Sequence, residues 1–232
     1  QNYAEIASLL TTPELRNNFL TAVNELSQEL YRGNREQTQI SPSVEIPKGY
    51  SINEFGERLF KEEKYEEALN YFEKAADLGS NMAINNIGFY YLEIESNLEK
   101  AEKYFLKAMK KGNVIALNNL GIVNDKKEDY NRAIEYYLMA IKKKCNFAYN
   151  NLGNLYEEIY QDYEKAENLY RKNFKETKDT EALIHLAYLY LNRYHNKRNA
   201  IKYLELSSKK GNKEAEHILF HLLNDEECNC NN

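Results

Sequence analysis

The chain has 232 residues, 43% of them hydrophobic, and a formal net charge of −5, so it can bury a core but is too acidic for general binding to nucleic-acid phosphates. The three cysteines, Cys145, Cys228 and Cys230, imply no disulfide framework, and no apolar run approaches the about 20 residues that span a bilayer. Only 9 Gly and 3 Pro accompany 20 Tyr, which favours long helices with aromatic packing over a loop-rich sheet.

Residues 1–32 are predicted to form a helical segment of their own. Thr11, Thr12 and Pro13 are typical of a helix start, and an apolar stripe follows them. The stripe consists of Leu15, Phe19, Val23, Leu26 and Leu30. Residues 33–48 contain Gly33, Pro42 and Pro47 and are predicted to be an extended linker. The segment is interpreted either as a cap on the first apolar face of an array or as a helix that docks a partner or occupies a groove.

The chain begins with Gln1 and not with Met, which fits either a removed signal peptide or a missing upstream domain. The first twelve residues lack the charged-then-apolar pattern of a signal sequence. We therefore predict a cytoplasmic protein, with a periplasmic or secreted location as the alternative.

Residues 49–223 contain an internal repeat with a period of 33. Its corners are predicted at Gly79-Ser80, Gly112-Asn113, Cys145-Asn146, Lys178-Asp179 and Gly211-Asn212. A short motif that ends in glycine returns after the corners, as in residues 83–88, 116–121 and 148–153. Apolar residues at three- and four-residue steps predict two helices per unit, giving five repeats and a closing helix, while residues 224–232 are predicted to be a disordered polar tail.

Each first helix carries a glycine, which costs about 0.5–1 kcal/mol relative to alanine inside a helix. Its recurrence therefore predicts a close approach between the two helices of a repeat, and Gly121 replaced by Leu is expected to clash. The fifth repeat has Ala187 in place of the glycine, and we expect looser packing there.

These motifs resemble the Sel1-like branch of the tetratricopeptide repeat family. The resemblance rests on the Asn-Leu-Gly segments, on Tyr91 and Tyr156 three residues after the glycines, on the Ala-x-x-Tyr-Phe/Tyr-x-x-Ala runs and on the Gly-Asn corners. It implies an all-α fold, a right-handed α-solenoid of stacked antiparallel helix pairs. It also implies a scaffold that binds proteins or peptides on its concave surface.

The resemblance places a partner-binding face on the first helices. The implied residues are Asn53, Asn85, Asn86, Phe89, Leu92, Asn118, Asn119, Ile122, Asn150, Asn151, Asn154 and Tyr188. The paired asparagines have two interpretations. They form an amide ladder that binds the backbone of an extended chain, or one of each pair caps or bridges neighbouring repeats. Apolar groove residues such as Phe89 and Tyr188 are typical of a contact site.

Three histidines are candidates for a metal site, although we predict that none is present. His217 and His221 lie four apart on the closing helix, and His185 lies on the preceding first helix, but the His-Glu-x-x-His pattern is absent. Lysines that end the second helices, such as Lys110 and Lys143, complement the helix dipole and alternatively form a basic ridge for an acidic partner.

No phosphate-binding glycine loop, nucleophile elbow or paired catalytic carboxylates occur in the sequence. We therefore predict a non-catalytic scaffold without a cofactor, which binds a protein or peptide and neither nucleic acid nor a membrane interior. The alternatives are a peptide-responsive sensor that captures or releases the N-terminal helix, and an accessory domain of a larger enzyme. The partner and the oligomeric state are not set by the sequence.

Overall fold

The computed structural model describes residues 51–224, which form eleven α-helices and no strand. The first helices of the five pairs are α1 (Ile52–Lys61), α3 (Asn81–Glu93), α5 (Ile115–Lys126), α7 (Phe147–Glu158) and α9 (Glu181–Asn192). The second helices are α2 (Tyr65–Asp77), α4 (Leu98–Lys110), α6 (Tyr130–Lys142), α8 (Tyr163–Thr177) and α10 (Lys197–Lys209), and α11 (Lys213–Leu223) closes the array. The predicted N-terminal helix, the linker and the tail after residue 224 lie outside the described residues.

The helices stack as an α-solenoid, which confirms the predicted fold class. Each helix packs against its neighbours in sequence, and each first helix also contacts the first helix of the next repeat. No comparable contact joins second helices among the described residues. The first helices therefore lie closest together and form the inner row, whereas the second helices form the outer row.

The corner between repeats depends on one residue with a positive φ. Gly79 and Gly112 adopt φ values of +94° and +85°, a region in which a glycine carries no steric cost. Between the third and fourth repeats this residue is Lys144, with φ +64°, so the corner predicted at Cys145-Asn146 is wrong by one residue. Cys145 instead takes the place of Asn113, and both are buried. The shift arises because the unit from Gly112 to Lys144 is one residue shorter than 33.

The residue after the corner caps the next first helix. The Ser80 Oγ accepts a hydrogen bond from the Ala83 amide at 3.1 Å, and the Asn113 Oδ1 accepts one from the Ala116 amide at 3.1 Å. Such a bond satisfies one of the four amides that have no partner within the helix. The corners at Gly79, Gly112 and Gly211 are thus each followed directly by a capping residue.

A glycine of the first helix faces an aromatic ring of the second helix in the first four repeats. The pairs are Gly56 with Phe72, Gly88 with Phe105, Gly121 with Tyr137 and Gly153 with Tyr170. A Cβ atom on Gly88 would lie 2.7 Å from Cδ1 of Phe105, a distance that real Cβ contacts do not show. The ring is fully buried, so it has little room to move aside. The predicted close approach is therefore present.

The fifth repeat solves the same packing problem with a different pair. Ala187 replaces the glycine, and Leu204 replaces the aromatic residue of the second helix. Both side chains are buried in one cluster, with 1% and 0% of their surface exposed. The expectation of looser packing is therefore wrong, because the smaller leucine leaves room for the Cβ of Ala187.

We predict that Gly121→Ala lowers the free energy of unfolding by about 1–3 kcal/mol, because the new Cβ displaces the buried Tyr137 ring. Tyr137→Leu alone costs on the order of 2 kcal/mol through the cavity that it leaves. The double variant reproduces the pair of the fifth repeat, so its loss is expected to be smaller than the sum by on the order of 1 kcal/mol. Urea unfolding of the four chains measures this coupling.

The matched control combines Gly121→Ala with Phe72→Leu, an aromatic residue of the first repeat that does not face Gly121. This pair should be additive, because each repeat contacts only its neighbours. If the losses of unfolding free energy are additive in both double-mutant cycles, the contact with the aromatic ring does not explain the glycine at this position.

Candidate protein-binding surface

The paired asparagines join neighbouring repeats. In each step the second asparagine of one repeat donates from Nδ2 to the Oδ1 of the first asparagine of the preceding repeat. The bonds are Asn86 to Asn53 at 3.1 Å, Asn119 to Asn85 at 3.0 Å and Asn151 to Asn118 at 2.8 Å. In the structure, these asparagines therefore bridge neighbouring repeats, which is the second of the two predicted arrangements.

Burial also separates these amides from a ligand. Asn53, Asn85, Asn118, Asn119 and Asn150 are each at most 8% exposed. A buried acceptor that loses its donor costs about 1–3 kcal/mol, so breaking these pairs would destabilise the contact between repeats. These five side chains therefore lie between repeats and are not exposed, and their contact with a partner stays a prediction.

The ladder changes composition towards the C-terminal end. The Oδ1 of Asn150 accepts a hydrogen bond at 2.8 Å from Asn173, a fully buried residue of α8. His185 occupies the repeat position of Asn151 and stacks on Tyr170, with ring centroids 5.1 Å apart. At the next step both partners are apolar, since Ile184 and Ile218 are buried in one cluster. The hydrogen-bonded asparagine pairs of the first three steps are thus replaced by an apolar pair at the last step.

Burial lowers the pKa of His185, whereas the carboxylate of Asp179 acts weakly in the opposite direction. The imidazole is therefore held in its neutral form against the ring of Tyr170. In this position His185 does not lie with His217 and His221, and no group of three or more His, Cys, Asp or Glu side chains in residues 51–224 is arranged to hold a metal ion.

The remaining predicted groove residues divide into buried and exposed ones. Leu92 is 4% exposed and belongs to the core, so it does not lie on an open groove as predicted. Ile122 is half-buried against two core clusters, and Asn154 accepts a hydrogen bond from the Tyr170 hydroxyl at 2.7 Å. Phe89 and Tyr188 are exposed, as the prediction requires.

Three exposed apolar residues that the sequence analysis missed lie at one repeat position. Met82, Ile115 and Phe147 are 51%, 42% and 58% exposed at or next to the start of α3, α5 and α7. Each lies three residues before the first asparagine of its repeat and so shares the helix face that points to the inner row. We call these three, with Phe89 and Tyr188, the apolar strip. The available signal was an apolar residue that recurs beside three successive corners although the core does not need it.

The same repeat position becomes acidic in the last two first-type helices. Glu181 of α9 and Glu214 of α11 replace the apolar residues, and both are exposed. Burial raises the pKa of Glu181, and repulsion from the carboxylates of Asp179 and Glu214 raises it further. These acidic side chains therefore interact electrostatically. At this repeat position the inner row therefore changes from apolar residues on α3, α5 and α7 to acidic residues on α9 and α11.

Comparisons with known sequences give one family. The sequence model of the Sel1 repeat matches residues 51–80, 81–113, 114–145, 146–172 and 180–212. A comparison with curated proteins finds no match. No helix in the described part of the chain has the length and apolar character that crossing a membrane requires.

Solved structures of repeat proteins resemble the chain. A Sel1 repeat protein from Oxalobacter formigenes is 23% identical, with a TM-score of 0.53 over 82% of this chain and 86% of that one. PilF of Pseudomonas aeruginosa is 18% identical, with a TM-score of 0.58 over 75% of this chain and 83% of that one. A chain of the APC/C hetero-tetramer Cut9-Hcn1 is 21% identical, with a TM-score of 0.56 over 74% of this chain but only 35% of that one. At these identities the likeness shows the fold alone.

We predict that Asn119→Ala lowers the free energy of unfolding by about 1–3 kcal/mol, because the buried Oδ1 of Asn85 loses its donor. Changing both residues to Ile, as in the natural pair Ile184 and Ile218, should cost less than Asn119→Ala. Denaturant unfolding measures both, with the exposed Asn131→Ala as the control. Equal losses for Asn119→Ala and Asn131→Ala would mean that the ladder does not hold the repeats together.

We also predict a pH dependence that belongs to His185. Its pKa is lower in the folded chain than in the unfolded chain, so the unfolded state takes up more protons as the pH falls below about 6.5. Stability is therefore lost on acidification, and His185→Phe, which keeps a ring on Tyr170, should reduce this loss between pH 7.5 and 5.5. The exposed His195→Phe is the control, and an unchanged pH profile in His185→Phe would refute the assignment.

Proposed function

The chain belongs to the Sel1 repeat family, and we propose that it is a non-catalytic interaction scaffold that binds a protein or peptide segment along its first helices. The observation that supports this most directly is the recurrence of Met82, Ile115 and Phe147 as exposed apolar side chains at one repeat position. Apolar side chains that line up on a surface are typical of a contact site, whereas scattered ones need no explanation.

The spacing of the strip suits an extended or helical segment. First helices that pack side by side lie about 8–10 Å apart, so the three apolar residues would contact a partner at intervals of that size. An extended segment in the polyproline II conformation advances about 3.1 Å per residue with three residues per turn, so every third partner residue would face one repeat. Rings of Phe60 and Phe89, 5.8 Å apart on α1 and α3, continue the apolar surface towards the first repeat.

The charge distribution adds a polarity to the proposed partner. Apolar groups at α3, α5 and α7 are followed by Glu181 and Glu214 at α9 and α11. Burial raises the pKa of Glu181, and repulsion from Asp179 and Glu214 raises it further, so a cation placed beside this carboxylate would offset the repulsion. We therefore propose a partner segment with apolar side chains at one end and Lys or Arg at the other.

The proposal is tested with a phage-displayed library of random 16-residue peptides selected on the intact chain. Selected peptides should carry apolar residues with a basic cluster at one end. The variant Met82→Ser/Ile115→Ser/Phe147→Ser should bind a selected, fluorescein-labelled peptide at least about tenfold more weakly in an anisotropy titration, because three apolar contacts are lost. Thermal unfolding should stay close to that of the parent chain, since the three side chains are exposed.

The matched control is Leu138→Ser/Met139→Ser on the second helix α6, where the two side chains are 51% and 49% exposed. This variant should bind the peptide like the parent chain. Equal affinity of the parent chain and the strip variant, or a loss in the α6 variant instead, would contradict binding along the first helices. The variant Glu181→Gln/Glu214→Gln separately tests the basic end: it should weaken binding and reduce its salt dependence.

A further inference from the structure

Two imidazoles on the closing helix face each other across one turn. His217 and His221 are four residues apart on α11, so they share a helix face. Their Nε2 atoms lie 3.0 Å apart, and their ring centroids lie 4.4 Å apart. Ala215 and Ile218 anchor the same helix in the core cluster that contains Leu204, so the backbone that carries the rings is fixed.

The separation of the two nitrogens matches the distance between two adjacent ligands of one metal ion. Bonds from imidazole nitrogen to a divalent first-row metal are about 2.0–2.1 Å long, so nitrogens 3.0 Å apart subtend about 94° at an ion bound to both. This is near the right angle of adjacent ligands in square-planar or octahedral geometry. A tetrahedral ion would need the nitrogens about 3.3 Å apart. We propose that His217 and His221 form a bidentate site for a divalent ion of the Ni²⁺ or Cu²⁺ type.

The surroundings favour a cation. Glu214 lies one turn before His217, and Glu216 lies beside it in sequence, and both carboxylates are exposed. Binding requires both Nε2 lone pairs, so each ring carries its proton on Nδ1 in the loaded site. Water supplies the remaining ligand positions. The site shares Glu214 with the acidic end of the proposed binding surface, but its two nitrogen ligands lie outside the apolar strip, so metal binding does not depend on the proposed function.

The experiment is an isothermal titration of the full chain with NiCl2 in a non-chelating buffer. We expect one ion per chain at this site, and His217→Asn or His221→Asn should weaken its binding by about tenfold or more, because the second nitrogen is held at high effective concentration beside the first. His195→Asn should leave binding unchanged. Circular dichroism checks that each variant folds.

A second variant keeps the number of histidines but breaks their spacing. In His217→Asn/Phe220→His the two imidazoles are adjacent in sequence and point in different directions around the helix, so the weak binding of His217→Asn should persist. Cys228→Ser/Cys230→Ser tests thiolates as the source of binding and should have no effect. Full Ni²⁺ affinity in His217→Asn, or its loss in the cysteine variant, would overturn the proposal, as would the absence of measurable binding by the parent chain.

Discussion

The contact between a glycine of the first helix and an aromatic ring of the second helix is the constraint on which the rest of this structure depends. It brings two backbones together at one point in each of the first four repeats, and the buried rings of Phe105 and Tyr137 fill the space that a Cβ would occupy. The cost of glycine inside a helix is about 1 kcal/mol, which is offset by burial of a whole aromatic side chain. The pair of Ala187 and Leu204 follows the same rule in the fifth repeat, because a larger residue on the first helix faces a smaller residue on the second helix.

Stacking of one repeat on the next uses a second device, the amide ladder, and this has a consequence for function. Hydrogen bonds such as that from Asn119 to Asn85 occupy groups that would otherwise be available to a peptide backbone. In the proposed function, the partner is therefore bound by side chains that do not hold the repeats together, which are the exposed apolar residues and the acids that follow them along the inner row.

Much of the fold could be predicted from the sequence because the same physical requirement recurs every 33 residues, and a glycine repeated inside helices has few explanations. The positions of individual site residues were harder to predict. Paired asparagines are equally suited to a ligand and to a neighbouring repeat, and periodicity alone does not separate the two. Leu92 lies on the expected helix face but is covered by the next repeat, whereas Met82, Ile115 and Phe147 lie beside corners, outside the positions that the family resemblance implies for binding.

The central claim is that the paired asparagines form hydrogen bonds between neighbouring repeats and not to a ligand. The exchange of side-chain amide protons with solvent, measured by NMR on a 15N-labelled chain, tests this claim most directly. The NH2 groups of Asn86, Asn119 and Asn151 donate to the preceding repeat, so their protons should exchange much more slowly than those of the exposed Asn131. They should remain slow when a peptide selected for binding is added. Exchange as fast as that of Asn131, or protection that arises only with the peptide, would contradict the account. The second result would mean that these amides bind the peptide.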